Sequence, residues 1–97
     1  MAEQTRAIFW DRDGTLIEDR GYLADPGEAV LIDGAVRALL RLKPYFVFFI
    51  VTNQAGIARG AISARDAARV NESLLSRLAG EDIHFAEVYV CPHSKED

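Results

Sequence analysis

Tyr45-Phe46-Val47-Phe48-Phe49-Ile50-Val51 runs through seven residues without the alternation of apolar and polar side chains that a half-buried strand shows. A bilayer span takes about 20 apolar residues, so the run is far too short to cross a membrane. Unbroken apolar character over this length predicts a strand covered on both faces, as in the interior of a parallel sheet. Two further runs fit as its neighbours. Ala7-Ile8-Phe9-Trp10 predicts a first strand over Ile8 to Trp10, and Phe85 to Val90 predicts a third that delivers Cys91 at its end. Between them lie helical patterns. Asp33 is a good N-cap for a helix over Gly34 to Lys43, with Val36, Leu39 and Leu40 on one face, and Pro44 ends it. Ser63 with Asp66 approximates a capping box and opens a second helix in which Val70, Leu74, Leu75 and Leu78 make the buried stripe, with Gly80 as its stop. The polar segment Ile17 to Glu28, with Gly21, Pro26 and Gly27, reads as a loop.

The order strand, helix, strand, helix, strand implies right-handed crossovers and a three-stranded parallel sheet with two helices, the beginning of a doubly wound, Rossmann-like α/β domain. At 97 residues the chain is a single small domain, near the size where the core has a thin margin. Its 49% hydrophobic and 27% charged content is that of a globular protein.

In such sheets ligands bind outside the carboxyl ends of the strands. Asp11-Arg12-Asp13-Gly14-Thr15 follows the first strand directly, so two carboxylates and a turn glycine emerge there. Of two aspartates one residue apart, one can attack or bind a metal while the other handles a proton. Spacing argues against a calcium loop of the EF-hand type, which needs glycine at position six and glutamate at twelve. Here Gly14 stands at position four and Tyr22 at twelve. Thr52-Asn53-Gln54 follows the central run in the same way. A threonine hydroxyl and the N–H groups of the turn behind it can hold phosphoryl oxygens. Each turn alone would pass for an ordinary loop, whereas two polar strand ends on one sheet edge point to phosphoryl transfer.

Four segments together resemble the haloacid dehalogenase superfamily: Phe9-Trp10-Asp11-Arg12-Asp13-Gly14-Thr15, Asp19-Arg20-Gly21-Tyr22-Leu23, Val51-Thr52-Asn53-Gln54-Ala55-Gly56-Ile57-Ala58-Arg59-Gly60, and Cys91-Pro92-His93. More narrowly they are similar to its D,D-heptose 1,7-bisphosphate phosphatase and histidinol-phosphate phosphatase group. The resemblance implies Asp11 as nucleophile, Asp13 as acid and base, Thr52 on the transferring group, and Mg2+ held by Asp11 and the Asp13 carbonyl. It further implies substrate contacts from Arg12, Asp19, Arg20, Gly21, Tyr22, Asn53, Gln54, Ala55 and Arg59. A structural Zn2+ is implied at Cys91 and His93, which supply two of the four ligands such a site takes. The family's phosphate-balancing lysine, its further magnesium aspartate and the second Cys-x-Cys pair of the zinc site have no counterpart here. The chain therefore reads as an amino-terminal portion of such a phosphatase. The first strand, central in that family, would be left here as an unprotected edge, and unpaired edges invite self-association.

A net charge of −4 with scattered Lys and Arg argues against nucleic acid as a partner. One cysteine excludes an internal disulfide, which fits a reducing compartment, and the short polar amino terminus fits a cytoplasmic protein. The expected function is Mg-dependent hydrolysis of a small phosphorylated metabolite, a heptose bisphosphate before histidinol phosphate. The competing class is a non-catalytic module that keeps the sheet and the metal loop.

Overall fold

The computed structural model describes residues 6–91. Strands β1 (Ala7–Asp11), β2 (Val47–Asn53) and β3 (Glu87–Cys91) form a parallel sheet in that order. Trp10 lies opposite Ile50, and Ile50 opposite Val88. The connections carry helices α1 (Ala35–Leu42), α2 (Ala55–Ala58) and α3 (Ala64–Ala79), with a single 3-10 turn at Pro26–Glu28. The α/β class and the parallel sheet are as the sequence implies. The four-residue α2 is additional, making three α-helices among the described residues where the sequence pattern gives two, because one turn of helix is too short to show periodicity.

Both faces of β2 were expected to be covered, and among the described residues only one is. Phe48, Ile50 and Thr52 are buried while Val51 and Asn53 are exposed. The covered face packs Phe48 and Ile50 against Leu39 of α1 and Val70, Leu74 and Leu78 of α3. The cause is topological. Two right-handed crossovers that step in the same direction across a sheet lay both helices on the same side, which leaves two layers. The open face carries Phe9 stacked on Phe49 at 4.7 Å between ring centroids, and Phe49 on Tyr89 at 6.1 Å.

The start of α1 also differs from expectation. Its N-cap is Gly34, at φ 89°, with no side-chain cap bond, rather than Asp33. The chain enters α1 through a left-handed residue, a conformation glycine adopts without steric cost. The buried face is centred on Leu39, flanked by Val36 and Leu42, and Leu40 is exposed. At 3.6 residues per turn Val36 and Leu42 lie about 60° to either side of Leu39, whereas Leu40 lies about 100° away. Helix α3 begins as its sequence indicates, with the Asp66 N–H donating to Ser63 Oγ at 3.0 Å. At its other end Gly80 stays right-handed and Asp82, at φ 63°, makes the reversal. Asp tolerates this region better than most residues. Lys43 Nζ donates to both the Asp82 carboxylate and its carbonyl, each at 2.6 Å, tying the end of α1 to this turn.

The hydrogen bond and charge of Lys43 hold the Asp82 carboxyl below its ordinary value of 3.8, with His84 adding a smaller effect in the same direction. A depressed carboxyl stabilises the fold above the ordinary value and loses that contribution as pH falls through the folded one. Lys43→Met is therefore expected to lower the melting temperature at pH 7, with the difference from the parent chain closing as pH falls below 3.8. Thermal unfolding followed across this range checks it, and a difference that is constant with pH would assign the loss to packing of the lysine stem instead.

Candidate active site

Asp11 is the last residue of β1, and the chain turns sharply behind it. The Arg12 carbonyl accepts from the N–H groups of Thr15, Leu16 and Ile17 at 3.4, 2.9 and 3.0 Å, and the Gly14 N–H donates to the Ile17 carbonyl at 2.7 Å. Leu16 and Ile17 are fully buried and anchor the turn in the core. Ile17 also bridges to Asp13 and Leu31. The segment read as a plain loop thus supplies the core residues Ile17 and Leu23, and Ala29 just after it is also in the core. Arg77 of α3 holds it by donating to the Ala29 and Pro26 carbonyls at 2.7 and 3.0 Å. Two carboxylates consequently stand on a turn pinned to the core.

A polar cleft of about 370 Å3 opens at this end of the sheet, lined by Asp11, Asp13, Asp19, Gly21, Tyr22, Asn53, Ala55 and Arg59. Asp11 lies opposite Val51 in the ladder, so the residues after β2 reach the same edge. The Asp19–Tyr22 segment closes one wall. Asp19 Oδ1 accepts from the Gly21 N–H at 3.1 Å, and Arg59 Nη1 donates to the Tyr22 hydroxyl at 2.9 Å. The Tyr22 ring lies directly on Gly56, where an added Cβ would stand 2.7 Å from Cδ1. Gly56→Ala is therefore expected to displace the exposed Tyr22 and break its bond from Arg59. Stability should change by about 1 kcal/mol or less, since Tyr22 can swing toward solvent. Loss of the upfield ring-current shift on the residue 56 protons in NMR spectra, with the melting transition nearly unmoved, is the expected reading.

Eight residues singled out in the sequence line this one cleft, and the other described ones lie elsewhere. Arg12, read as a substrate contact, is turned into the protein at 2% exposure. It donates to Asp13 at 3.0, 3.0 and 3.2 Å and to Asn71 Oδ1 at 2.9 Å. The loop behind it is anchored by buried Leu16 and Ile17, so its side chain leaves the strand end on the core side. Gln54 is likewise buried, accepting from Asn71 Nδ2 at 3.1 Å. The Arg20 guanidinium pairs with exposed Glu18 at 2.8 Å and does not line the cleft. Thr52 stands at the same sheet end but on the covered face, with Phe48 and Ile50, because the strand period of two sets it opposite in sense to Val51. Its buried Oγ1 has no hydrogen-bond partner among the described residues. Asn71 and Gly56 were not singled out from the sequence. An asparagine beside Val70 in an apolar stripe was the available signal for the first.

Among the described residues no three His, Cys, Asp or Glu side chains gather closely enough to hold a metal. Asp11 and Asp13, two hard oxygen donors on one turn facing an open cleft, fit part of a magnesium shell, which usually keeps several waters. Cys91 is an exposed free thiol at the end of β3, and His93 lies outside the described residues.

The parallel sheet carries an aspartate pair at the end of its first strand and a Thr-Asn turn at the end of its second. In sequence and fold the chain matches the amino-terminal part of haloacid dehalogenase superfamily phosphatases. No protein-family model matches it. It is 39% identical over 94 residues to D-glycero-beta-D-manno-heptose-1,7-bisphosphate 7-phosphatase of Escherichia coli strain K12, covering 96% of this chain and 49% of that protein. The protein of the same name from Haemophilus influenzae is 41% identical over 92 residues, with 94% and 50% covered. The solved D,D-heptose 1,7-bisphosphate phosphatase from B. bronchiseptica, complexed with magnesium and phosphate, superposes with a TM-score of 0.86 at 26% identity, over 96% of this chain and 53% of that one. A HAD-like phosphatase structure from Mesorhizobium loti gives 0.86 at 35% identity, over 93% and 44%. The chain spans about half the length of the curated relatives it matches.

Proposed function

We propose that this chain is the amino-terminal portion of a cytoplasmic, magnesium-dependent phosphatase of a small phosphorylated metabolite, with D-glycero-D-manno-heptose 1,7-bisphosphate as substrate and its 7-phosphate as the group removed. The observation that carries the reading is the polar cleft at the carboxyl ends of β1 and β2, where Asp11 and Asp13 meet Asn53, Ala55 and Arg59. The names of its relatives support the substrate class.

Asp11 attacks phosphorus in line, and the alcohol leaves with a proton from Asp13. Water then hydrolyses the aspartyl phosphate, with Asp13 now acting as base. Asp13 Oδ1 accepts from both Nε and Nη2 of Arg12, and Oδ2 accepts from Nη2 alone, so Oδ2 keeps a second lone pair for the proton it moves. Asn53 and Ala55 contribute to the wall that receives the phosphoryl oxygens. The Thr52 hydroxyl, without a partner among the described residues, stands at the same strand end on the covered face. Magnesium, when bound, neutralises charge so that a carboxylate can approach an anionic phosphate, with Asp11 and the Asp13 carbonyl as its ligands from this chain. Tyr22, Asp19 and Gly21 form the wall facing the sugar. A structural Zn2+ at Cys91 and His93 belongs to the same proposal as half a site, completed by donors from outside this chain.

The test is phosphate release from a panel of sugar phosphates and histidinol phosphate, with and without Mg2+, by the full-length gene product. Preferential release from the heptose bisphosphate supports the reading. Preferential release from histidinol phosphate moves the substrate but keeps the chemistry, and Mg2+-dependent binding without release from any ester would favour the non-catalytic module.

A further inference from the structure

We propose that Asn71 of α3 is a positioning residue for the two loops that build the cleft, an inference that rests on the phosphatase reading above. Three buried polar side chains from three separate elements form one relay. Arg12, Gln54 and Asn71 are 2%, 4% and 8% exposed. Arg12 Nη1 donates to Asn71 Oδ1 at 2.9 Å, and Asn71 Nδ2 donates to Gln54 Oε1 at 3.1 Å. The rest of the Arg12 fork grips the Asp13 carboxylate. The relay thus runs from the acid–base candidate on the first loop, through α3, to the turn behind β2.

Packing alone does not account for Asn71. Its neighbours on the buried side of α3 are Ala67, Val70, Leu74 and Leu78, and an apolar residue there would avoid the cost of burying an amide. What the amide supplies is an acceptor on one side and a donor on the other. Arg12 has only donors, which requires the Asn71 oxygen to face it and the Asn71 nitrogen to face Gln54. Gln54 must then present its own oxygen, and its Nε2 is left as a buried donor with no partner among the described residues. A network that leaves one donor unpaired in order to hold both loops is ordered for geometry rather than for stability. Without the Asn71 acceptor the guanidinium is held only through Asp13, the residue it is meant to orient.

The relay has a conservative replacement. In Asn71→Asp one carboxylate oxygen accepts from Arg12, and the other accepts from Gln54 once that amide turns its Nε2 inward. Asn71→Ala removes both connections. Val36→Ala, in α1 against the same core but away from the relay, controls for loss of stability. In the full-length gene product, Asn71→Ala is expected to lower kcat for phosphate release by about tenfold to a hundredfold, with KM changed by less than about threefold, as a small misplacement of a catalytic group does. Asn71→Asp should recover most of the rate, and Val36→Ala should leave kcat within about twofold while lowering the melting temperature. A kcat for Asn71→Ala within about twofold of the parent protein would overturn the proposal. So would an equal fall in Val36→Ala, or an Asp variant no better than Ala. If the parent protein releases no phosphate at all, the phosphatase reading fails by itself and the relay is read by NMR on the 97-residue chain. A slowly exchanging Arg12 Nε–H in the parent and the Asp variant, and fast exchange in the Ala variant, supports the positioning. Unchanged exchange in the Ala variant overturns it.

Discussion

In the full-length gene product Asp11→Asn is expected to reduce phosphate release on the order of 10^4-fold or more, with the fold and the melting transition intact. The carboxylate does two things that the amide cannot. In the proposed reaction it would supply the nucleophile, and it would supply negative charge to a metal in the same cleft. Asparagine has the same shape, and Asp11 sits at an exposed strand end where replacing a carboxylate by an amide strands no buried partner. Parallel Asp13→Asn should retain a slow first step and lose turnover, because a proton must be given to the leaving alcohol and later taken from water. Its Arg12 fork would also keep only one good acceptor, so a drop in stability is expected for Asp13→Asn and not for Asp11→Asn. Activity retained by Asp11→Asn at parental rates would assign the nucleophile elsewhere. Rates and melting curves measured on the same preparations separate the two effects.

The three strands and the two long helices were legible because their signals span many residues. Tyr45 to Val51 announces β2, and Ser63 opens α3 with the bond its spacing suggests. What could not be read was what each side chain faces. The face of Thr52 depends on a register that only the folded sheet defines. The same holds for Arg12, where sequence shows a cation between two aspartates and the fold turns it away from the cleft onto Asn71, 59 residues later. Apolar Val51 and Phe9 read as core, yet they stand on a face that no described element covers, because both crossovers run the same way. The motif residues Asp11, Asp13, Asn53, Ala55 and Arg59 could be grouped from sequence, since parallel neighbours present their carboxyl ends together. Tyr22 joined them through a contact with a glycine, which no spacing rule anticipates.

Extending the chain through the segment that its relatives carry beyond it is expected to raise stability and turnover in one step. Phe9 is 58% exposed and Tyr89 50%, on a flat stacked face beside exposed Val51. Completing the burial of each aromatic contributes ~1–2 kcal/mol, so covering this face adds several kcal/mol to a domain whose margin at this size is thin. β1, now at the sheet edge, would gain a neighbour at the same time. The chemical gain has a separate cause. The family resemblance implies a charge-balancing lysine and a further metal-binding aspartate in that segment, and each such group is worth about a hundredfold in rate, so about 10^4-fold together. The short chain should therefore release phosphate very slowly, bind Mg2+ weakly and associate with itself through its open face or free edge, which sedimentation at increasing concentration would detect. The extended chain should be less prone to associate, melt higher and turn over at ordinary enzyme rates. The two gains are separable by Phe9→Glu in the short chain: a charge on the open face should abolish the association and leave the slow rate unchanged. If that variant instead raised turnover, the slow rate would belong to the associated state and not to the missing charges. A short chain that already turned over at ordinary rates with Mg2+, and lost this in Asp11→Asn, would show that the cleft on β1 and β2 carries the chemistry without further residues.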